Sequence, residues 1–268
     1  MKRRSFSLAA AASLCGLQIE AMAQGADKIG VLMLHGKNPG SAQDPNFRSV
    51  LFRLEREEMM ALMPDMPWSR LRYIDGHWDQ AMQEVQKHVV TLRDRGAKKI
   101  VLMGHSMGCP AALSYASRKQ DVSALVLFAP GHIPRGYYEF PQLAEVRKSI
   151  DLARSLVQAS KGDTRERFTD INQGRPLQLT MTASDFLSYF DPDSDADMGV
   201  TAAKMPAQIP VLTVIGTADP LYRVARSYFH DKLPPNPGTR FLEVAANHVD
   251  TPEVAKEQAI SWIRETVK

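Results

Sequence analysis

The chain has 268 residues, 44% of them hydrophobic and 24% charged, with a formal net charge of +3. These are ordinary globular values, which exclude a disordered chain and a multi-spanning membrane protein, and the length suits a single α/β unit carrying an insertion. The charge excess is too small to argue for nucleic-acid or anionic-membrane binding.

The N-terminus differs in kind from the rest of the chain. Met1-Lys2-Arg3-Arg4 is a positive n-region, Leu8 to Leu17 an apolar, Ala-rich run too short to span a bilayer, and Ala21-Met22-Ala23 a small-x-small cleavage site ahead of Gln24. Residues 1–23 therefore read as a cleaved export signal, which places the mature chain in the periplasm or outside the cell. Arg3-Arg4 followed by Ser5-Phe6 resembles the twin-arginine signal, with a Sec signal as the competing reading. Ala12-Ser13-Leu14 before Cys15 does not resemble a lipobox. Loss of Lys2, Arg3, Arg4 and Glu20 lowers the net charge from +3 to +1 and leaves Cys109 as the only cysteine, so no intrachain disulfide is expected. Residues 24–268 are expected to be one domain with no stable membrane insertion.

Ile29-Gly30-Val31-Leu32-Met33-Leu34 suits a strand buried on both faces of a parallel sheet, and His35 to Ser41 a loop in which His35 fixes the turn. The spacing of Phe47, Leu51, Leu54, Met59 and Leu62 predicts a surface helix over 44–62, and Ser69 to Ile74 reads as a weaker strand. Asp79 to Arg95 reads as an amphipathic helix burying Met82, Val85, Val89 and Leu92.

The most informative stretch comes next. The apolar run Lys99 to Met103 leads into Gly104-His105-Ser106-Met107-Gly108, and an Ala-rich helical segment succeeds it. Strand, Gly-x-Ser-x-Gly and helix together form the context in which a serine is lifted clear of a sheet edge as a nucleophile. The turn must be sharp, and the helix must pass so close to the strand that side chains at Gly104 and Gly108 would collide. The hydroxyl of Ser106 then sits at a helix N-terminus, which favours a developing oxyanion. His105 is read as a flank of this turn, pointing away from Ser106.

Ala124 to Phe128 reads as the next buried strand. Between about 132 and 206 no strand-like apolar run appears. Leu143, Val146, Ile150, Ala153 and Leu156 mark one helix there, and Ala183 to Phe190 a short second one, so a helical lid is expected, with Tyr137, Tyr138, Phe140, Phe186, Leu187 and Tyr189 packing it onto the core or lining a pocket. Asp191-Pro192-Asp193-Ser194-Asp195-Ala196-Asp197 lacks the glycine and glutamate of a calcium loop and reads as a solvated acidic loop. Neither a metal nor a cofactor is called for. The sheet resumes at Ile209 to Ile215, with Gly216-Thr217-Ala218-Asp219-Pro220 directly after it; Thr239 to Val244 is the last strand, and Ala245 to His248 precede a final helix over about 252–267, burying Val254, Ile260, Trp262 and Ile263.

Ser106, Asp219 and His248 thus come after three different strands, and on these motifs the chain resembles the α/β-hydrolase family over nearly all of residues 24–268. The resemblance implies an α/β fold with helices on both faces of a mostly parallel sheet, Ser106 as nucleophile, His248 as general base and Asp219 as its orienting acid. It also implies an oxyanion hole made by the backbone N–H groups of Lys37, after His35-Gly36, and Met107, roles in which any side chain would serve. Only Gln24 to Asp27 would precede the first strand after cleavage, leaving no room for the family's leading hairpin, so a reduced sheet of six parallel strands is expected. The expected activity is hydrolysis of a carboxylic ester or thioester of a small-molecule acyl substrate. A peptidase, an amidase, a cofactor-free haloperoxidase, or a non-catalytic binding protein of the same fold are the alternatives. His77, His88, His132 and His230, and Asp185 and Asp193, are less well placed in the chain for these roles. Nothing in the sequence speaks to oligomeric state.

Overall fold

The buried apolar runs assemble one sheet, and the amphipathic segments between them cover its faces. In chain order the elements are β1 (Ile29–Leu34), α1 (Pro45–Glu55), β2 (Met60–Leu62), α2 (Trp78–Asp94), β3 (Lys99–His105), α3 (Gly108–Lys119) and β4 (Ala124–Phe128). An insertion comes next, made of α4 (Pro134–Glu139), α5 (Ala144–Gln158), β5 (Arg165–Asn172), β6 (Arg175–Thr182), α6 (Ala183–Phe190) and α7 (Met198–Ala202). The chain closes with β7 (Val211–Gly216), α8 (Tyr222–Tyr228), β8 (Arg240–Val244) and α9 (Thr251–Thr266). The computed structural model describes residues 28–37 and 39–268, so the export-signal reading of residues 1–23 lies outside the described residues. No described helix is long and apolar enough to cross a membrane.

Six strands form the sheet in the order β2-β1-β3-β4-β7-β8, and every neighbouring pair is parallel, as expected. Parallel neighbours need crossovers, and the helices that supply them divide the apolar core in two. On one face Val31, Met33, Val101, Val126 and Val214 pack with Phe47, Val50 and Leu54 of α1 and Ile260 and Ile263 of α9. On the other, Leu32, Leu34, Leu102, Leu125 and Leu127 pack with α2, α3 and the insertion.

Several expected elements are corrected. The helix starting at Asp44 ends at Glu55 rather than at residue 62: Glu58 turns left-handed at φ 60°, Met59 N–H bonds the Leu54 carbonyl at 3.1 Å, and Met60–Leu62 becomes the edge strand beside β1. Residues 69–74 are accordingly not a strand. Tyr73 (φ 25°) and Ile74 (φ 56°) are left-handed, a strained conformation, above all for a β-branched residue, and incompatible with a ladder. In α9, Val254 faces solvent, and Ala255 and Ala259 are buried beside Ile260, Trp262 and Ile263.

The insertion is not purely helical. β5 and β6 pair as an antiparallel hairpin with register Asn172↔Arg175, joined by Gln173 and Gly174, both at positive φ, as a two-residue hairpin turn requires. Its inner face buries Phe168, Leu179, Met181 and the carboxylate of Asp170. Phe186 of α6 lies sandwiched between Phe168 and Phe190 at 4.4 Å on each side, Tyr189 packs edge-on against Trp78 at 5.0 Å, and Tyr137 rests on His132 and Phe190. The stack packs the insertion on itself, and Tyr189 against Trp78 ties it to α2.

The acidic run 191–197 is not simply solvated. Asp191 takes a two-pronged bond from Arg154, Asp193 pairs with Arg135, Asp195 with Arg118 and Lys204, and the fully buried Asp197 caps α7 while accepting from Arg135 N–H and the Tyr228 hydroxyl. Its carboxylates are engaged by cations from the insertion and from α3. Among the described residues no group of three or more His, Cys, Asp or Glu side chains is arranged to hold a metal ion.

Candidate active site

At the end of β3 the chain turns into α3 through Ser106, whose φ of 53° is left-handed. Two glycines permit that turn. A side chain on Gly104 would stand 2.4 Å from the Gly108 carbonyl oxygen, and one on Gly108 would stand 1.8 Å from the Leu34 carbonyl oxygen of β1. Ser106 therefore sits at the sheet's C-terminal edge, at the start of a helix whose first N–H groups have no partner within the helix.

Asp219 and His248 come to the same edge from the loops after β7 and β8. The Ser106 Oγ–H donates to His248 Nε2 at 2.9 Å, and His248 Nδ1–H donates to Asp219 Oδ2 at 2.7 Å. The Asp219 carboxylate is fully buried and is fixed from behind by the Leu221 N–H on Oδ1 at 2.7 Å. The imidazole of His248 is about a quarter exposed. That line of bonds assigns the neutral tautomer, with its proton on Nδ1 and a free lone pair aimed at the serine. Such an arrangement can withdraw the hydroxyl proton as Oγ attacks a carbonyl and return it to a leaving group.

The backbone of β1 closes on the serine from the other side. A side chain on Gly36 would lie 3.2 Å from Ser106 Cβ, so Lys37, the next residue, begins its turn directly beside the nucleophile; Gly40 N–H closes that turn on the Lys37 carbonyl at 2.9 Å. Met107, fully buried, supplies the first amide after Ser106. His35 serves the same loop structurally. Its Nδ1–H donates to the Gly36 carbonyl, its Nε2 accepts from Met66 N–H, and Trp68 Nε1–H bonds its carbonyl at 2.7 Å.

Three features of the site go beyond the sequence reading. His105 is more than a flank: its Nε2–H donates to the backbone carbonyl of His248 at 3.0 Å, tethering the loop that carries the base. Gly131, after β4, lies over the nucleophile, where a Cβ would stand 2.8 Å from Ser106 Oγ and 3.4 Å from His248 Cε1. Its sequence cue is Pro130-Gly131 directly after a buried strand. The third is the Lys37 side chain, which is not arbitrary: it is almost wholly buried and ion-paired with Asp170 of the insertion. By contrast, His77 caps α2 on the surface, His88 is a partly exposed residue of α2, and His230 bonds Thr213; none of them reaches Ser106.

The Gly131 geometry makes a direct prediction. Gly131→Val should lower turnover of any acyl substrate by at least about tenfold, since the branched side chain occupies the space an attacked carbonyl needs, and loss of a reacting geometry by an ångström costs on the order of 10². Steady-state kinetics on the folded variant check it; wild-type rates would contradict it.

Two buried histidines contribute to the loss of stability in acid. Burial, reinforced by the His248 ring beside it, pushes His105 down to about 4, and burial with nearby Lys37 pushes His132 to about 4. Unfolded, both rings take up a proton near pH 6.5. Between those values the unfolded chain binds more protons, so stability is fully present above about pH 6.5 and falls as pH drops toward 4. The slope is on the order of 1.4 kcal/mol per pH unit for each ring. Urea unfolding at pH 7.5, 6.5, 5.5 and 4.5 should show a plateau and then this decline. A midpoint unchanged to pH 4.5 would contradict it.

The fold agrees with relatives. Residues 31–258 match the Alpha/beta hydrolase family. The chain belongs to that family. No curated protein sequence is similar enough to match it. Among solved structures, this family member is similar to one described with the metagenome-derived lipolytic enzymes LipS and LipT, at 15% identity and TM-score 0.62, covering 89% of this chain and 94% of the other. It is similar to Est1E from Butyrivibrio proteoclasticus with ferulic acid bound, at 15% identity and TM-score 0.61, covering 91% of both chains. It is also similar to the esterase Pf2001 from Pyrococcus furiosus, at 20% identity and TM-score 0.56, covering 91% of this chain and 84% of the other. At these identities the likeness establishes the α/β-hydrolase fold.

Proposed function

We propose that this chain is a serine hydrolase that cleaves a carboxylic ester or thioester through an acyl-enzyme. The observation that carries the reading is the unbroken line of hydrogen bonds from Ser106 Oγ through His248 to the buried Asp219, starting from a left-handed serine at the N-terminus of α3. Ser106 attacks the acyl carbon while His248 Nε2 takes its proton, and Asp219 holds the imidazole tautomer and stabilises the imidazolium. The amides of Lys37 and Met107 receive the oxyanion. His248 then protonates the departing alcohol or thiol, and the same ring draws a proton from water that attacks the acyl-enzyme, regenerating Ser106 and releasing the acid. Lipolytic enzymes and esterases among the similar structures support ester over amide cleavage.

A panel of p-nitrophenyl esters of graded acyl length, with a matched anilide, tests the reading. Ester turnover that disappears in Ser106→Ala is expected. Anilide turnover exceeding ester turnover would overturn ester specificity. We further propose that residues 1–23 direct export; Arg3→Lys with Arg4→Lys should block it if the route is twin-arginine, and export retained in that variant would assign the Sec route.

A further inference from the structure

The interaction between Lys37 and Asp170 joins the loop beside the nucleophile to the insertion, across 133 residues of chain. The ammonium of Lys37 donates to Asp170 Oδ1 at 2.8 Å, to Asp170 Oδ2 at 2.7 Å and to the Ile171 carbonyl at 3.1 Å. An ammonium has three donors, and all three are used, so none remains to bind a substrate. The carboxylate side is equally committed. Asp170 Oδ2 also accepts the Tyr73 hydroxyl at 2.6 Å, and Tyr73 reaches it from the left-handed pair Tyr73-Ile74, where backbone strain is stored. The Lys37 side chain is 7% exposed and that of Asp170 fully buried.

A buried ion pair is weak ground for stability, because apolar side chains of similar volume commonly stabilise as well or better. What such a pair does fix is direction. Lys37 comes directly after Gly36, where a Cβ would lie 3.2 Å from Ser106 Cβ, so the residue is held at its side-chain end by Asp170 and Ile171 and at its backbone end beside the nucleophile.

We propose that Asp170, on the hairpin of the insertion, is a positioning residue for the oxyanion hole: through Lys37 it aims the Lys37 amide at the oxygen of the attacked carbonyl, so that the insertion completes the catalytic site rather than only covering it. This inference rests on the serine-hydrolase reading. Tyr73 adds a hydrogen bond to Asp170 Oδ2, but the two Lys37 contacts hold the carboxylate without it.

Two rates test it, turnover of p-nitrophenyl acetate and the second-order rate at which a fluorophosphonate labels Ser106, since negative charge develops on the carbonyl oxygen in the first and on the phosphoryl oxygen in the second, and the same hole receives it. Losing one oxyanion donor costs about 10² to 10³, so Asp170→Asn, which misdirects one donor, should slow both rates by about 10- to 100-fold, with KM changed by less than about threefold. Because that variant leaves a buried cation unpaired, the double replacement Lys37→Met with Asp170→Leu is measured beside it. The double variant is expected to recover the wild-type thermal midpoint while both rates stay slow, and Tyr73→Phe, which keeps the ion pair, should stay within about threefold of wild type. Wild-type labelling by Asp170→Asn, or a double variant that recovers rate together with stability, overturns the positioning role alone. A folded wild-type protein that does not label at all overturns the hydrolase reading, and this inference with it.

Discussion

Replacing His248 by alanine is expected to lower the turnover of a short p-nitrophenyl ester by about 10³ to 10⁶, because groups that act as a unit lose nearly everything when one is removed. Its Nε2 is the acceptor of the Ser106 hydroxyl at 2.9 Å, and no neighbour can replace it. The adjacent imidazole, His105, has its ring centroid 5.4 Å from that of His248, its Nε2–H is committed to the His248 carbonyl, and burial pushes it down to about 4. The substitution takes the imidazole partner from the buried Asp219 carboxylate, which keeps the Leu221 N–H, so the thermal midpoint should fall and the rate is read below it, on folded protein. A loss of less than about tenfold in folded protein would mean that another group is the base.

Gly108→Ala should have the largest effect on the fold. Its Cβ would stand 1.8 Å from the Leu34 carbonyl oxygen and 2.6 Å from the carbonyl carbon, and both belong to the backbone of β1, which is paired on both sides in the sheet. Neither atom can turn aside, so α3 would have to lift off the sheet, exposing the wholly buried face of Cys109, Ala112, Leu113 and Ala116. A cost above about 4 kcal/mol, beyond the usual range for single substitutions, is expected. Gly136→Ala is the control, since its Cβ meets side chains rather than backbone, Ile133 Cδ1 at 2.6 Å and Cγ1 at 3.1 Å and Phe140 Cε2 at 3.2 Å, which can shift where a strand carbonyl cannot. Urea unfolding of both variants decides it, and a Gly108→Ala protein of near wild-type stability would contradict the packing described.

The parts of this molecule that are legible in the sequence are those where one physical demand governs each residue. Continuous apolar runs such as Ile29–Leu34 and Val211–Gly216 can only be strands covered on both faces, and Gly104 and Gly108 have one purpose, to let a helix pass close to strands. The order of Ser106, Asp219 and His248 along the chain likewise places three side chains at one sheet edge before any coordinate is known. Legibility fails where tertiary contacts override local pattern. Ser69 to Ile74 alternates like a strand, yet Trp68 and Ile74 are drawn into the core, Tyr73 toward Asp170, and the sheet edge is taken by the three residues Met60–Leu62. The hairpin of β5 and β6 is hidden because its strands are half polar, and its turn offers Gln173-Gly174 in place of the more telling Asn-Gly. The Lys37–Asp170 pair spans too long a loop for any spacing rule to find.

Covalent labelling of the purified protein with a fluorophosphonate, with the modified peptide mapped by mass spectrometry, tests the nucleophile most directly. One adduct is expected, on Ser106, absent in Ser106→Ala and slowed in His248→Ala. Folded wild-type protein that remains unlabelled, or that carries the adduct on another residue, would contradict the serine mechanism.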